Sequence, residues 1–469
     1  MHGITPYSDL TGFAMCMNYI VGTGCFGLPF AFAEAGLAMN TCLLLGGGIL
    51  AMISMNYTIE FLARAEAISS LRPGQAPNHR ITFRRFDFLK VSGIFAGRTG
   101  TLLMQIPLFI SALGTLWSFS SMFSSSTANV FTTYFLSKHC NVYRSDPTSQ
   151  CVSTYLLFMG IFAAVVIFLV LMDMSEQATV QKYLTLYRVL ALGAMFVTLV
   201  VKVNEDGLPA MEHRARLIGA WNLGEFAKGF GPCMLAINCH YNIPNVIQPL
   251  RSKANVRVVP QLALGVAIVL YLFLGILGAL AFDNISPMVS LNWASYTACG
   301  GGWDLCIDDA AAPYYAGARR IYAHTIRLFI VLFPVFNIIS TYPMICLTLG
   351  DNITLAVPDS VKRRISHTTV TGIARICCVL PPIALAAVFK KLDVIFSIAG
   401  IFGFTLQLTM PCYLNLLTID YCEETYGKGS SVTPFSLGFL SWRCVVQALF
   451  LLSFVMVGIA FVNVLPHIV

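Results

Sequence analysis

The sequence predicts an all-α integral membrane protein of about eleven transmembrane helices, and three observations carry that expectation. Hydrophobic residues make up 57% of the 469 and charged residues only 11%, where a soluble domain carries roughly 25% charged residues. Mean hydropathy is +0.74. A water-soluble fold of this length could not hide so much apolar surface. The apolar residues also come in continuous runs of roughly 20, the length that crosses a ~30 Å hydrocarbon core as helix. Alternating segments of about 10 residues, which a closed β-barrel would need, are not the pattern here. Inside lipid only helices and closed barrels satisfy the backbone internally.

The runs place spans at Leu10–Ala35, Leu37–Ala63, Thr99–Phe123, Ser153–Met172, Tyr183–Val203, Leu223–Leu250, Val256–Phe282, Ile321–Leu347, Thr369–Val388, Val394–Thr418 and Gly438–Leu465. The first lacks a basic leader and is longer than a signal-peptide core. It is therefore expected to remain as a span that also directs insertion. The expected organisation is a tail over 1–9, a five-helix repeat over 10–203, an outer loop over 204–222, a second five-helix repeat over 223–418 and an eleventh helix over 438–465.

Orientation is read from Lys and Arg. The stretch Arg64–Arg98 carries Arg64, Arg72, Arg80, Arg84, Arg85, Lys90 and Arg98. Arg251, Lys253 and Arg257 follow span six, and Lys362, Arg363 and Arg364 follow span eight. All three groups fall on one side, which the positive-inside rule makes cytoplasmic, together with the N-terminus. The net charge of +7 thus reports topology and gives no case for nucleic acid. The membrane itself, plasma or endolysosomal/vacuolar, is left open. The outer loops hold two cysteine pairs among the 15 cysteines, Cys140 with Cys151 and Cys299 with Cys306. Outer loops can be oxidising, so each pair is expected to close within its own loop. No histidines flank them at metal-ligand spacing, so no metal site is expected.

The interruptions of the runs point to function. Span one contains Asn18-Tyr19-Ile20-Val21-Gly22-Thr23-Gly24-Cys25-Phe26-Gly27-Leu28-Pro29, and span six contains Gly229-Phe230-Gly231-Pro232 followed by Ala236-Ile237-Asn238-Cys239-His240-Tyr241-Asn242-Ile243-Pro244. Glycine is a poor helix former and proline removes a donor, so both spans should break at membrane depth. Unwound backbone is tolerated there only beside protein, ligand or water. Each is the first helix of a five-helix set. Paired breaks at corresponding places mark a transporter built as a 5+5 inverted repeat plus one helix. The alternative, glycines serving close helix packing, explains either break alone. Amides at a half-helix start attract a carboxylate, and carbonyls at the other end attract an ammonium or a metal cation. A free amino acid carries both charges on one carbon.

These segments also resemble a known family. Asn18 to Pro29 resembles the first helix of the amino acid/auxin permease family, and Ile237-Asn238-Cys239-His240 with Pro244 and Pro249 resembles the sixth helix of its neutral amino acid transporters. Leu408-Thr409-Met410-Pro411 resembles its tenth. Leu332-Phe333-Pro334-Val335-Phe336, Tyr342-Pro343 and Ser252-Lys253 are similar to the transmembrane protein 104 branch. The resemblance implies a LeuT-type fold and amino acid transport driven by sodium or protons. It matches Asn18 to an asparagine that helps hold sodium. Span eight departs from sodium-coupled members at Leu332-Phe333-Pro334 and Asn337.

Substrate contacts are therefore expected from the amides of Gly22, Thr23, Gly24 and Cys25 and the carbonyls of Ala236, Ile237 and Asn238. Cation or coupling roles fall to Asn18, His240, Ser340 and Thr341. His240 is placed deep in a span, where a histidine can move a proton, although a structural hydrogen bond is the plainer reading. The hydroxyls of Ser340 and Thr341 can equally bond their own helix. Asp173, Glu176 and Arg327 read as interfacial or gate residues. The coupling ion, sodium or proton, is the only cofactor expected. The partners expected are an amino acid substrate and the bilayer. No catalytic motif is present, so the chain is not expected to be an enzyme. The expectation is a secondary active transporter of small solutes, neutral amino acids foremost. The alternative is an amino acid sensor on the same fold, with the basic Arg64–Arg98 stretch as a contact surface.

Overall fold

The computed structural model describes the chain apart from residues 1–5, 72–76, 85, 137, 139, 144–146, 172–176, 208–220, 307–312, 358–365 and 469. Asp173, Glu176, Arg72, Arg85 and the basic run Lys362, Arg363, Arg364 lie outside the described residues. Among the described residues, nine helices are long and apolar enough to cross a membrane, and Asp9–Ile20 with Gly24–Ala35 makes a tenth, bent by 47°. The span expected at Leu223–Leu250 is the eleventh. It is present as Phe226–Ala236 and Ile243–Ile247 with non-helical chain between them. Named here in chain order, the spans keep the numbers one to eleven.

Helix ends differ from the apolar runs. Span two is a helix over Leu37–Ser70, and span three is helical over Phe88–Phe135 with a kink at Gly97, whose φ is 59°. Helices run past the hydrocarbon because residues such as those of Ala63-Arg64-Ala65-Glu66-Ala67 are strong helix formers whatever their hydropathy. Arg64 and Arg98 accordingly belong to helices, not to a loop. Span eight is Pro313–Val331 joined through Leu332 to Phe333–Ala356. Span ten contains a π-helical turn, Thr405–Thr409, between Leu392–Phe404 and Met410–Tyr426.

Arg64 is 2% exposed and anchors the end of span two. Its Nη2 pairs with Glu60 Oε2 at 3.1 Å. Its Nη1 donates to Asn415 and Thr418 of span ten, and its Nε to the carbonyl of Ser431. Glu60 also accepts from Asn56 at 2.8 Å and Ser441 at 2.6 Å. A buried ion pair is favourable only when such extra bonds satisfy both partners. Here they tie span two to span ten and to the connection that leads into span eleven. Beyond it, Lys253 lies 4.1 Å from the Phe83 ring centroid and donates to the carbonyl of Gln248. Burial pushes its ammonium down to about 8, with Glu66 opposing the shift.

Spans six and ten touch backbone to backbone. A Cβ on Gly400 would fall 1.9 Å from the Gly231 carbonyl oxygen, and one on Gly231 would fall 2.3 Å from Ser397 Cα. A neighbouring face of span ten meets span three, where a Cβ on Gly114 would lie 3.0 Å from Ala399 Cα. Small residues allow this approach, and the packing replaces the hydrophobic drive that lipid cannot supply. Disulfides join Cys140 to Cys151 and Cys299 to Cys306. Arg327 donates to the carbonyl of Tyr296 at 2.6 Å, holding span eight to the loop of the second disulfide.

Two stability predictions follow from these contacts, both read as thermal unfolding in detergent micelles. Gly400→Ala should destabilise by about 1–3 kcal/mol or more, because backbone and not a flexible side chain is in the way. Gly46→Ala, whose Cβ would meet nothing within 4 Å, should leave the melting temperature near the parent's. Glu60→Ala should cost about 3–5 kcal/mol by leaving Arg64 buried and uncompensated, and Glu60→Ala with Arg64→Met should recover part of that loss.

Candidate functional site

The two broken spans run antiparallel and side by side. At one end Tyr7, just before span one, exchanges backbone bonds with Pro249 and Arg251 after span six, each 3.0–3.1 Å, and its hydroxyl donates to Val246 O at 2.7 Å. At the other end the amide of Asn222 donates to Ala35 O at 3.4 Å. Lys228 pairs with Glu225 at 2.9 Å and reaches Glu34 at 3.8 Å. The start of each broken span is thereby fixed to the end of the other, and the breaks come level. A Cβ on Gly24 would lie 3.2 Å from both Cα and N of Ala236. Only glycine lets the breaks meet so closely.

Span one is α-helical to Ile20, turns at Val21 and Gly22, and resumes as a 3-10 segment Thr23–Gly27 before Leu28–Ala35. The Gly22 amide folds back on Ile20 O at 2.8 Å, so it does not serve a ligand as expected. The Gly24 amide is the second of the 3-10 segment, ahead of the first i→i+3 bond. It is one of the orphan donors that a helix start leaves. The Cys25 thiol donates to Gly22 O at 3.1 Å. Span six ends its first helix at Ala236, with the Ile237 amide on Cys233 O and the Asn238 amide on Leu235 O. It resumes at His240–Asn242. No described group donates to the carbonyls of Ala236, Ile237 or Asn238. The half-buried Asn238 side chain lies against Gly403 of span ten, where a Cβ would stand 2.9 Å from its Nδ2. A Cβ on Gly22 would meet nothing within 4 Å, so open space adjoins the break there. The half-helix start of span one and the half-helix end of span six thus lie against each other, with open space beside Gly22.

The cation candidates are placed differently from one another. Asn18 faces Arg188 of span five: Arg188 Nη1 donates to Asn18 O at 2.9 Å and to Asn18 Oδ1 at 3.2 Å. Arg188 Nε donates to Asn337 Oδ1 of span eight at 2.8 Å, and its Nη2 reaches the same oxygen. Ser340 and Thr341 both donate to the carbonyl of Asn337, at 3.1 and 2.6 Å, the self-bonding that membrane-helix hydroxyls favour. His240 turns to span two, its Nε2 lying 3.0 Å from Ser54 Oγ and 2.9 Å from Ala51 O. It fastens the resumed half of span six and is not bonded to Asn18, Ser340 or Thr341.

Arg188 and Tyr271 are participants that reading the sequence passed over. Tyr271 of span seven donates to Ile20 O at 2.7 Å. An arginine inside the apolar run Tyr183–Val203 was the available signal, since an ionisable residue within a span is functional by default. Gln407, in the π-turn of span ten, donates to Gly47 O at 3.3 Å while its Oε1 stays buried without a partner. A π-turn of this kind often marks a working segment. A separate cavity of 480 Å³ lies between Leu102, Ile106 and Phe109 of span three and Leu349 and Ile353 of span eight. Its outward-facing apolar walls set it apart from the polar opening at the breaks.

Comparison with known proteins agrees with this architecture. The Caenorhabditis elegans transmembrane protein 104 homolog is 26% identical over 363 residues, covering 74% of this chain and 68% of that protein. Mouse (Mus musculus) transmembrane protein 104 is 23% identical over 485 residues, covering 90% of each. Among solved structures, MhsT in complex with L-phenylalanine superposes with a TM-score of 0.56 at 11% identity, over 98% of this chain and 100% of that one. An Eremococcus coleocola manganese transporter gives 0.51 at 11% identity, over 97% and 92%. At such identity these likenesses show the fold alone, a LeuT-type bundle of two inverted five-helix repeats plus one helix. The family model described as transmembrane amino acid transporter protein matches residues 5–461, and with that match over nearly its whole length the chain belongs to the transmembrane amino acid transporter protein family.

Proposed function

We propose that the chain is a secondary active transporter of neutral amino acids that works by alternating access around spans one and six. The observation that carries this reading is the meeting of the two breaks at Gly24 and Ala236. The free Gly24 amide at the start of the resumed helix suits a carboxylate, as helix starts do. The unbonded carbonyls of Ala236, Ile237 and Asn238 suit an ammonium. The family match supports an amino acid as substrate. A cation gradient is the driving force proposed.

The test is uptake of a mixed pool of labelled amino acids by proteoliposomes under an imposed cation gradient. The parent should accumulate label above empty vesicles. Gly24→Val should abolish uptake by forcing the breaks apart. Gly22→Leu should fold normally, because a side chain there meets no protein atom within 4 Å at its Cβ, yet should also lose uptake by filling the substrate's space. Full uptake by folded Gly22→Leu would contradict the placement of the site. Saturable amino acid binding without flux in the parent would favour a sensor over a carrier.

A further inference from the structure

The first half of span one ends with carbonyls that have lost their helical donors, and such an end carries partial negative charge that favours a cation. In transporters with broken spans, unwound carbonyls and half-helix ends are where a coupling cation binds. Here the oxygens gathered at that end are Asn18 O and Oδ1 from span one and Asn337 Oδ1 from span eight. A cation already holds them, the Arg188 guanidinium, through four contacts from Nε, Nη1 and Nη2.

Three features make this more than a chance bond. Arg188 is 3% exposed and Asn337 2%, and the half-buried Asn18 closes the other side of the guanidinium. No carboxylate pairs with Arg188 among the described residues, as the ion pairs all lie elsewhere. Its charge is therefore met by amide and carbonyl oxygens alone, the ligand type that suits a hard metal cation. Finally, an arginine stays protonated in proteins, so the charge is permanent. The neighbouring freed carbonyl, Ile20 O, is taken by Tyr271 of span seven.

We propose that Arg188 is a tethered replacement for a coupling cation: it permanently fills the cation position between spans one, five and eight and makes the protein indifferent to sodium. Being part of the chain, the guanidinium cannot dissociate to either side, so a sodium gradient has no purchase at this place. The consequence for transport, equal uptake in sodium and in choline, rests on the transporter reading. The cation-binding test does not.

The test is thermal unfolding of the purified full chain in detergent micelles, in sodium chloride and in choline chloride at matched ionic strength. The parent should melt at the same temperature in both. Arg188→Lys, which keeps a tethered cation, should likewise ignore sodium. Arg188→Ala, which empties the oxygen cluster, should gain a sodium-specific rise of a few degrees, because a ligand that binds only the folded state stabilises it. Sodium-specific stabilisation of the parent, or a folded Arg188→Ala that ignores sodium, would overturn the proposal. Should Arg188→Ala not fold, a sodium response of the parent or of Arg188→Lys still overturns it, and its absence in both supports it. In vesicles, parent uptake that requires sodium would also overturn it. Absence of uptake in either salt would count against the transporter reading and leave the melting comparison to decide the cation position.

Discussion

A peptide group inside lipid must find its hydrogen-bond partner within the protein, because no water is there to supply one. Spans one and six each abandon helical bonding in mid-run, at Val21–Gly22 and at Ile237–Cys239. Neither break could face lipid. The arrangement that removes both from lipid is the one observed, with the spans antiparallel, their ends cross-tied through Tyr7 and Asn222, and the breaks in contact at Gly24 and Ala236. The rest of the bundle encloses that contact. Span ten approaches through Gly400 and Gly403, and spans five, seven and eight supply Arg188, Tyr271 and Asn337.

Two buried arginines show how differently one side chain is accommodated. Arg64 is neutralised by Glu60 and fixed by Asn415, Thr418 and Ser431; it locks span two to span ten. Arg188 has amide and carbonyl oxygens instead of a carboxylate, two from Asn18 of the span that breaks and one from Asn337 of span eight. A pair that is charge-balanced within itself serves as a rivet. A lone charge held by the dipoles of an unwound helix end depends on that end staying where it is, which links the position of span one to span five.

Most of the fold was legible because lipid enforces a coarse rule. Among the described residues each of the eleven runs contains helix. The break in span one falls at Gly22 as its glycines predict, but that in span six falls at Ile237–Cys239, past Gly229, Gly231 and Pro232, which stay helical, and before Pro244, where helix has resumed. Hydropathy locates hydrocarbon, however, and not helix ends, so Arg64 was read as a loop charge although its helix continues to Ser70. The juxtaposition of the breaks was legible at the level of backbone: Gly24 of span one does lie against Ala236 of span six. Side-chain partnerships were not, because they join residues far apart in the chain. Asn18 is 170 positions from Arg188, and Arg188 is 149 from Asn337. The engagement of His240 with Ser54, 186 positions away, is equally invisible to spacing.

The central claim is that backbone groups freed at the two breaks form the binding site for an amino acid. Hydrogen–deuterium exchange of the purified protein, with and without a mixed amino acid pool, addresses those groups directly. The account predicts slowed exchange in the segments around Gly22–Gly27 and Ala236–Asn242 when amino acids are present, with no change at the Glu60–Arg64 end of span two. Unchanged exchange at both breaks at saturating amino acid, or protection confined to other segments, would contradict it.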